Sequence, residues 1–351
     1  MLKSFRYLLF PLSLIYGAFI LLRNYLFDKK IFKSAAFNFP VICVGNLALG
    51  GTGKTPMVEY LVEQLKENYT PATLSRGYKR KTKGFAIAGP RTTAIDIGDE
   101  PMQFHEKFPG VTVAVGEERI VAIPQLLQEK PNTDVIILDD AFQHRSVRAG
   151  LNILLTEYKN LFTRDLMIPA GDLRDVKQSR KRADIIIITK CPSDLEEAER
   201  AAIETEIRLL SGQQIFFTEI LYAQPYHLFN GEVTDFGPAT DLLLISGIAN
   251  PKPMKDFLAA HVHSYDMLRY SDHHIFSSTD LREIKRHFER ISSPNKMIVT
   301  TEKDGVRLKK FEDELRELPV FVLPIRQNFL FNGAPAFNTI VKDYIDRFKK
   351  A

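Results

Sequence analysis

The chain of 351 residues contains no tryptophan and only two cysteines, Cys43 and Cys191. Neither cysteine belongs to a CxxC pair, and their spacing fits neither a disulfide framework nor a zinc site. Internal repeats and low-complexity tracts are also absent from the sequence. These absences exclude a disulfide-rich secreted scaffold and a repeat architecture, and they fit a protein of the reducing cytoplasm.

A strong charge of one sign is missing too, because the formal net charge at pH 7 is +4. This value is too small to indicate nucleic acid, so no nucleic-acid partner is predicted, and no protein partner is predicted either. A mildly basic chain suits an acidic membrane surface or a phosphorylated substrate. What the chain does contain is 45% hydrophobic residues, enough to bury the cores of two domains.

A hydrophobic run without charge lies near the N-terminus. It is the sixteen-residue segment 7–22, flanked by Lys3 and Arg6 before it and by Arg23 after it. As a helix it would cover about 24 Å, less than the roughly 30 Å hydrocarbon core of a bilayer. No small-residue cleavage site follows, so a signal peptide is not indicated. We interpret the segment as a helix that associates with a membrane interface; a buried core helix is the alternative.

From Pro40 onward, short β-rich runs alternate with helical periodicity, which is typical of a parallel sheet covered by helices. Strands are predicted at residues 41–45, 71–75, 111–116, 134–140, 151–155 and 183–189. Apolar residues at three- and four-residue intervals predict crossover helices over 55–68 and 117–130.

The segment GGTGKT leaves a predicted strand and enters a predicted helix, which is the context of a phosphate-binding P-loop. In such a loop the backbone N–H groups bind phosphate oxygens, Lys54 reaches the β and γ phosphates, and the Thr55 hydroxyl joins the Mg²⁺ shell. The predicted nucleotide-binding residues are Gly50, Gly51, Thr52, Gly53, Lys54 and Thr55. ATP and Mg²⁺ are the predicted cofactors, although the general pattern has a glycine where this chain has Ala48; a glycine-rich turn without a ligand is the alternative.

A carboxylate site for Mg²⁺ is predicted at the end of an apolar strand. Asp139 and Asp140 lie at the carboxyl edge of the strand in DVIILDDAFQHR, where such ligands occur in P-loop proteins. Gln143 and His144 follow directly and extend this polar site. The predicted metal ligands are Thr55, Asp139, Asp140 and Gln143. The alternative is a polar strand end that only faces solvent.

Turn residues cluster between Pro225 and Pro238, and a new alternation of strands and helices begins after them. There, strands are predicted at 242–247, 296–301 and 320–324, and helices at 278–291 and 334–350. The predicted units are a membrane-associating helix (1–30), a P-loop core (31–222), a smaller α/β domain (223–328) and a C-terminal helix that packs back on the core (329–351). The predicted fold class is therefore α/β, with a P-loop NTPase-type parallel sheet covered by helices on both faces.

Seven motifs in this order resemble the tetraacyldisaccharide 4'-kinase family, membrane-associated enzymes of lipid A biosynthesis. They are VGNLALGGTGKTP, LSRGYKR, GDEP, LDDAFQHR, AGDLRD, SDHHIF and TTEKD. The resemblance covers about residues 1–330 and is specific because all seven occur in order. In that family the P-loop also departs from the general pattern at the position of Ala48. Where the family usually has Gly-Pro-Leu-Arg-Glu, this chain has Gly-Asp-Leu-Arg-Asp, so the shorter Asp175 follows Arg174.

The resemblance implies transfer of the ATP γ-phosphoryl group to the 4'-hydroxyl of a tetraacylated glucosamine disaccharide 1-phosphate. This lipid stays in a bilayer, so the enzyme would work at the cytoplasmic face of the bacterial inner membrane, with the lipid and that surface as partners. The resemblance also implies that Asp99 and His273 handle the attacking hydroxyl, with Lys54 and Arg174 as further catalytic residues. The candidate substrate-binding residues are Asn46, Arg76, Tyr78 and His144.

Each of these assignments has a plainer alternative. Asp99 is also suited to cap a helix that begins near Pro101, and His273 to be a hydrogen-bonded loop histidine. The basic segments 76–83 and 174–182 suit a phosphate or anionic headgroups, and equally a solvated charged surface.

A different functional class is a membrane-tethered P-loop ATPase switch that acts on a protein partner. Such proteins carry a lysine directly before the two glycines, where this chain has Leu49. A soluble small-molecule kinase, in turn, does not explain the hydrophobic segment 7–22.

Overall fold

The structure, a computed structural model, describes residues 6–349. The predicted flanking residue Lys3 lies outside the described residues. The strands are β1 Ala35–Ala36, β2 Val41–Asn46, β3 Pro71–Ser75, β4 Ala86–Ile87, β5 Thr112–Val115, β6 Val135–Asp139, β7 Val147–Arg148, β8 Leu151–Glu157, β9 Ile185–Thr189, β10 Gln214–Tyr222, β11 Tyr226–His227, β12 Asp241–Ser246, β13 Ser264–Arg269, β14 Lys296–Thr301, β15 Val320–Leu323 and β16 Ile325–Phe329.

The helices begin with the apolar N-terminal helix and end with a long C-terminal one. They are α1 Phe10–Asp28, α2 Lys54–Leu65, α3 Ala94–Ile97, α4 Asp99–Lys107, α5 Arg119–Glu129, α6 Glu197–Ile207, α7 Lys252–His261, α8 Ser278–Arg290, α9 Glu302–Leu308, α10 Glu312–Leu315 and α11 Ala334–Lys349.

A nine-stranded sheet forms the larger layer, in the order β16-β10-β9-β8-β2-β6-β3-β5-β4. Its strands from β10 to β5 are parallel, and only the two edge pairs are antiparallel. Strands β2, β6 and β9 are buried along their whole length, which explains their unbroken apolar sequences. All six strands predicted for this region are present.

Helices cover both faces of this sheet, as predicted. On one face, α5 and α6 contribute Ile123, Leu126, Ile203 and Ile207 to a buried cluster. On the other, α2 and α11 pack together, and the Tyr344 hydroxyl of α11 donates to the carbonyl of Val41 at 3.0 Å. The C-terminal helix thus closes the hydrophobic core beneath the P-loop helix.

A second sheet has five strands, in the order β11-β15-β14-β12-β13, all parallel except β11. One correction concerns the end of this unit. Strand β16 begins one residue after β15 and pairs with β10 of the larger sheet. Residues 325–328, placed in the second unit by the sequence, therefore belong to the first sheet, because Pro324 alone separates the two strands and gives no recognisable turn signal.

Helix α1 is longer than the uncharged run that predicted it. Together with the short turn of helix before it, Tyr7–Asp28 is by length and composition able to cross a membrane. Its 18-residue apolar window is 22% buried in the protein, so the alternative of a buried core helix is wrong. The buried positions are Ser13, Gly17, Ile20 and Asn24 on one face, and the exposed apolar ones include Leu12, Ile15, Phe19 and Leu22.

Candidate active site

The P-loop joins the carboxyl end of β2 to the start of α2. Gly50 and Gly53 have φ angles of 101° and 83°, a left-handed conformation that a side chain would strain. Gly51 is exposed, and Thr55 lies half-buried in the first turn of α2. The first N–H groups of a helix have no carbonyl acceptor within the helix, so those at the start of α2 are available to bind an anion.

The structure gives a reason for the missing glycine of the general P-loop pattern. Ala48 pairs with Leu173 in an antiparallel bridge, and the amide of Leu49 donates to the carbonyl of Asp172 at 2.7 Å. Ala48 has no positive φ, so a side chain is tolerated there. The first part of the P-loop, at Ala48 and Leu49, is held by these contacts with the neighbouring 171–175 loop.

Asp140 forms the centre of an ion-pair cluster beside the P-loop. Arg174 donates to both of its carboxylate oxygens, and Lys54 Nζ lies 3.9 Å from Asp140 Oδ1. Arg174 also donates to Asn46 Oδ1 at 2.7 Å. Burial by itself raises the pKa of Asp140, but Lys54 and Arg174 outweigh it and hold that pKa below its ordinary value. Asp140 is thus an anion that orients Arg174 and Lys54.

Asp139 lies in a different environment, although it is adjacent in sequence. Its Oδ2 accepts from Ser75 Oγ at 3.3 Å, and its Oδ1 is buried without a hydrogen-bond partner. Burial, with the charges of Glu100 and Asp140, raises the pKa of Asp139 to about 7. An unpartnered buried carboxylate oxygen is costly, so this atom is a candidate to bind a cation or a donor that a ligand supplies.

Thr52 Oγ1, in the P-loop, and Gln143 Oε1, just after the two aspartates, are likewise buried without a partner. The amide nitrogen of Gln143 donates to the carbonyl of Asn46 at 2.6 Å, which fixes the side chain. Mg²⁺ prefers oxygen ligands and is commonly held by one or two carboxylates together with substrate phosphates. The residues at this edge of the sheet therefore fit Mg²⁺.

His144 and Arg119 complete the cluster around the aspartates. Arg119 is fully buried at the start of α5, and burial lowers the pKa of its guanidinium to about 10. Burial, together with the cations Arg119 and Arg76, lowers the pKa of His144 to about 4. His144 is consequently neutral at pH 7, and Arg76 itself is exposed.

A second cluster lies where α4 meets the smaller unit. Asp99 Oδ2 lies 2.7 Å from His273 Nδ1, and Arg307 donates to both oxygens of Asp99. Burial would raise the pKa of Asp99, but the hydrogen bonds and charges of Arg307 and His273 hold it well below its usual range. Helix α4 begins at Asp99 itself, and the carboxylate faces the other unit rather than capping a helix at Pro101.

His273 is held from several sides. Its Nε2 accepts from Lys303 Nζ at 3.1 Å, and Tyr78 packs edge-on with the two rings 5.5 Å apart. His273 has a φ of 61°, an uncommon conformation for a residue with a side chain and one that clusters at functional sites. A merely satisfied loop histidine does not require these features.

The two basic segments are only partly solvated. Arg80 is buried and pairs with Glu117 at 2.6 Å. In the other segment, Arg182 pairs with Asp175 at 2.9 Å. These two arginines stabilise the fold and are not free to meet a headgroup.

Sequence reasoning missed several residues of the site, namely Arg119, Arg307, Lys303 and Glu100. Lys303 and Glu100 lie inside the motifs TTEKD and GDEP, so closer attention to those motifs would have found them. Arg119 and Arg307 lie on ordinary amphipathic helices, where nothing in the local pattern separates them from surface arginines.

A P-loop at the carboxyl edge of a parallel sheet, with a lysine and two aspartates beside it, defines the class of P-loop nucleotide-binding proteins, which includes kinases and ATPases. The family profile described as Tetraacyldisaccharide-1-P 4'-kinase matches residues 5–346, and the chain belongs to that family.

Relatives of this family resemble the chain along its length. It is 43% identical to tetraacyldisaccharide 4'-kinase of Bacteroides thetaiotaomicron, over 96% of this chain and 92% of that one. It is also 43% identical to the enzyme of the same name from Flavobacterium johnsoniae, over 97% of both chains. A crystal structure of LpxK from Aquifex aeolicus in complex with ATP matches with a TM-score of 0.77 and 28% identity, covering 98% of this chain and 100% of that one.

Proposed function

We propose that the protein transfers the γ-phosphoryl group of ATP to the 4'-hydroxyl of a tetraacylated glucosamine disaccharide 1-phosphate. The observation that carries this proposal is the family match over residues 5–346, which includes the P-loop, the Asp140 cluster and the Asp99–His273 contact. The relative from Aquifex aeolicus was crystallised with ATP, which supports ATP as the phosphoryl donor here.

The P-loop residues bind the nucleotide. Backbone amides of Gly50–Lys54 and the N-terminus of α2 face the phosphates, and Lys54 stabilises charge on the transferred group. Mg²⁺ would be held by Asp139 and Thr55, with Gln143 beside them, and when bound it neutralises charge on the phosphate oxygens. Arg174, steadied by Asp140 and Asn46, supplies a second cation for that charge.

The acceptor is handled by Asp99 and His273. In the reaction a bond forms between the 4'-oxygen and the γ-phosphorus, the bond from that phosphorus to the bridging oxygen breaks, and ADP leaves. The hydroxyl proton passes to the Asp99–His273 pair, and then to solvent. Transfer through a loose transition state needs orientation and a late proton acceptor rather than a strong base, which suits a carboxylate whose pKa is held low.

The exposed apolar face of α1 brings the active site to the lipid. Four large apolar residues on that face, Leu12, Ile15, Phe19 and Leu22, are each more than half exposed, and burying them in acyl chains is favourable. We place the protein at the cytoplasmic face of the bacterial inner membrane, where ATP and a lipid with four acyl chains are both available.

The test is a transfer assay with γ-labelled ATP and tetraacyldisaccharide 1-phosphate in detergent mixed micelles, followed by thin-layer separation. We expect one labelled lipid that carries a second phosphate, and no label with Lys54→Ala. A wild-type preparation that hydrolyses ATP without labelling the lipid would contradict the proposal.

A further inference from the structure

Helix α1 turns polar groups toward the loop that carries Arg174. Ser13, Tyr16 and Asn24 lie on one side of the helix because they are spaced by three and by eight residues. The hydrogen bonds join Ser13 Oγ to the amide of Ala170 (2.9 Å), the Tyr16 hydroxyl to the carbonyl of Arg174 (3.1 Å) and Asn24 Nδ2 to Asp175 Oδ1 (2.9 Å). A helix that served only as an anchor would have no need of buried polar contacts, which cost free energy unless partnered.

The 171–175 loop lies between this helix and the P-loop. The amide of Arg174 donates to the carbonyl of Leu47 at 2.8 Å, whereas the carbonyl of Arg174 accepts from Tyr16 at 3.1 Å. One backbone group of Arg174 is thus fixed by the P-loop and the other by α1. Its side chain leaves this fixed point to reach Asp140 and Asn46.

Asp175 links α1 to the loop that carries Arg174. It is 1% exposed, and its two oxygens accept from four donors, on Asn24, Val176, Ser179 and Arg182. Arg182 also donates to the carbonyl of Phe142 at 2.6 Å, in the segment that follows Asp140. Asp175 therefore connects α1 to both segments that carry the Arg174–Asp140 pair.

We propose that Asn24, Tyr16 and Asp175 are positioning residues of the phosphotransferase site, through which the membrane-facing helix holds Arg174 on Asp140 and Asn46. This inference rests on the proposed function. It makes α1 part of the catalytic apparatus, so its loss lowers turnover even when the lipid is presented in detergent and no membrane is needed.

The experiment measures kcat and both KM values in mixed micelles for Asn24→Ala, with Asn152→Ala as the matched control. Asn152 Nδ2 likewise donates to an aspartate, Asp184, at 3.3 Å, but at the start of β8, the opposite edge of the sheet from the P-loop. We expect kcat to fall about tenfold for Asn24→Ala, as for loss of a supporting residue, and to stay within twofold for Asn152→Ala. Equal kcat values for the two variants would overturn the proposal.

A milder variant, Tyr16→Phe, removes one hydroxyl and keeps the ring, so the proposal stays testable if Asn24→Ala fails to fold. We expect a severalfold lower kcat with an unchanged melting temperature. An unchanged kcat for this variant would contradict the proposal that α1 positions Arg174.

A double-mutant cycle with Arg174→Ala separates positioning from general destabilisation. If Asn24 acts through Arg174, adding Asn24→Ala to Arg174→Ala lowers kcat no further, because residues that act as one unit are non-additive. Losses that multiply would overturn the proposal. If the wild-type enzyme labels no lipid, the proposed function itself is contradicted. Failure of the proposed function is therefore distinguishable from failure of the positioning proposal.

Discussion

Asp99 Oδ2 and His273 Nδ1 lie 2.7 Å apart, although 174 positions separate the two residues in the chain. Asp99 opens α4 on the larger unit, and His273 lies between β13 and α8 on the smaller one. Their contact therefore depends on how the two units meet, and in the proposed mechanism it offers the acceptor hydroxyl a pair of groups that neither unit holds alone.

The first prediction concerns this pair. Asp99→Ala and His273→Ala should each lower kcat by about 10²-fold or more, with little change in the KM for ATP, because general acid–base residues contribute on this scale. The double variant should be hardly worse than the poorer single one. Losses that multiply would show two independent roles, and a large rise in the KM for ATP would move Asp99 to the nucleotide site.

A second prediction follows from Arg307, which holds the pKa of Asp99 well below its usual range. In Arg307→Gln the cation is lost and burial remains, so the pKa of Asp99 rises. In the proposed mechanism activity requires ionised Asp99, so the acid limb of the kcat/KM profile should move to higher pH, as a profile between pH 4 and 9 will show. Arg316→Gln, which removes an exposed pair with Glu312, is the control; an acid limb that stays in place in Arg307→Gln would refute the prediction.

Third, Lys54→Ala and Asp139→Ala should each abolish measurable turnover while the fold is retained. In the proposed mechanism both act on the phosphates or on Mg²⁺, and loss of one main electrostatic contact costs about 10²-fold or more. Circular dichroism and melting curves check the fold. Near-normal activity in either variant would remove that residue from the phosphate site.

The fourth prediction is a pH-dependent stability. Lys107 bridges Glu59 and Glu302 at 2.7 and 2.6 Å, and burial, with the nearby Glu302, raises the pKa of Glu59 to about 7. A raised folded-state pKa means that ionised Glu59 destabilises the protein increasingly as pH rises from about 4.5 to 7. Glu59→Gln removes that charge, so its melting temperature should exceed wild type by about 2 °C or more at pH 8.

At pH 5 the difference should be much smaller, because Glu59 of the folded wild-type protein is then protonated and resembles glutamine. Scanning calorimetry at the two pH values is the measurement. A Glu59→Gln variant that is less stable than wild type at pH 8 would show that the ion pair with Lys107 outweighs the burial of the charge.

The fifth prediction tests the membrane face. The triple substitution Ile15→Gln/Phe19→Gln/Leu22→Gln should weaken co-sedimentation with phosphatidylglycerol-containing vesicles at least tenfold, since each large apolar side chain contributes roughly 1.5–3 kcal/mol when buried. These residues point away from the protein, so kcat in mixed micelles should change little.

The matched control replaces three exposed apolar residues elsewhere, Val121, Leu210 and Val233, by glutamine. Its vesicle binding should equal that of wild type. If both triple variants bind vesicles as wild type does, α1 is not the membrane contact.

The sequence predicted the central strands well because each is a short apolar run buried on both faces, as β2, β6 and β9 are. It missed β10, β13 and β16: no residue of β13 is buried, and β10 and β16 mix buried with exposed positions, so none of the three is an unbroken apolar run. Such strands take their structure from pairing rather than from their own composition.

The sequence by itself determined the P-loop, the aspartates after β6 and the family motifs, because each is written in contiguous residues whose local geometry follows from glycine, lysine and strand-end chemistry. Only the tertiary structure decided that Asp139 Oδ1 is left without a partner while Asp140 binds Arg174, that Arg307 fixes Asp99, and that Asp175 is bound to α1. Those contacts join residues 34 to 208 positions apart, and the energy of an ion pair depends on distance and burial in the folded chain, which no local pattern records.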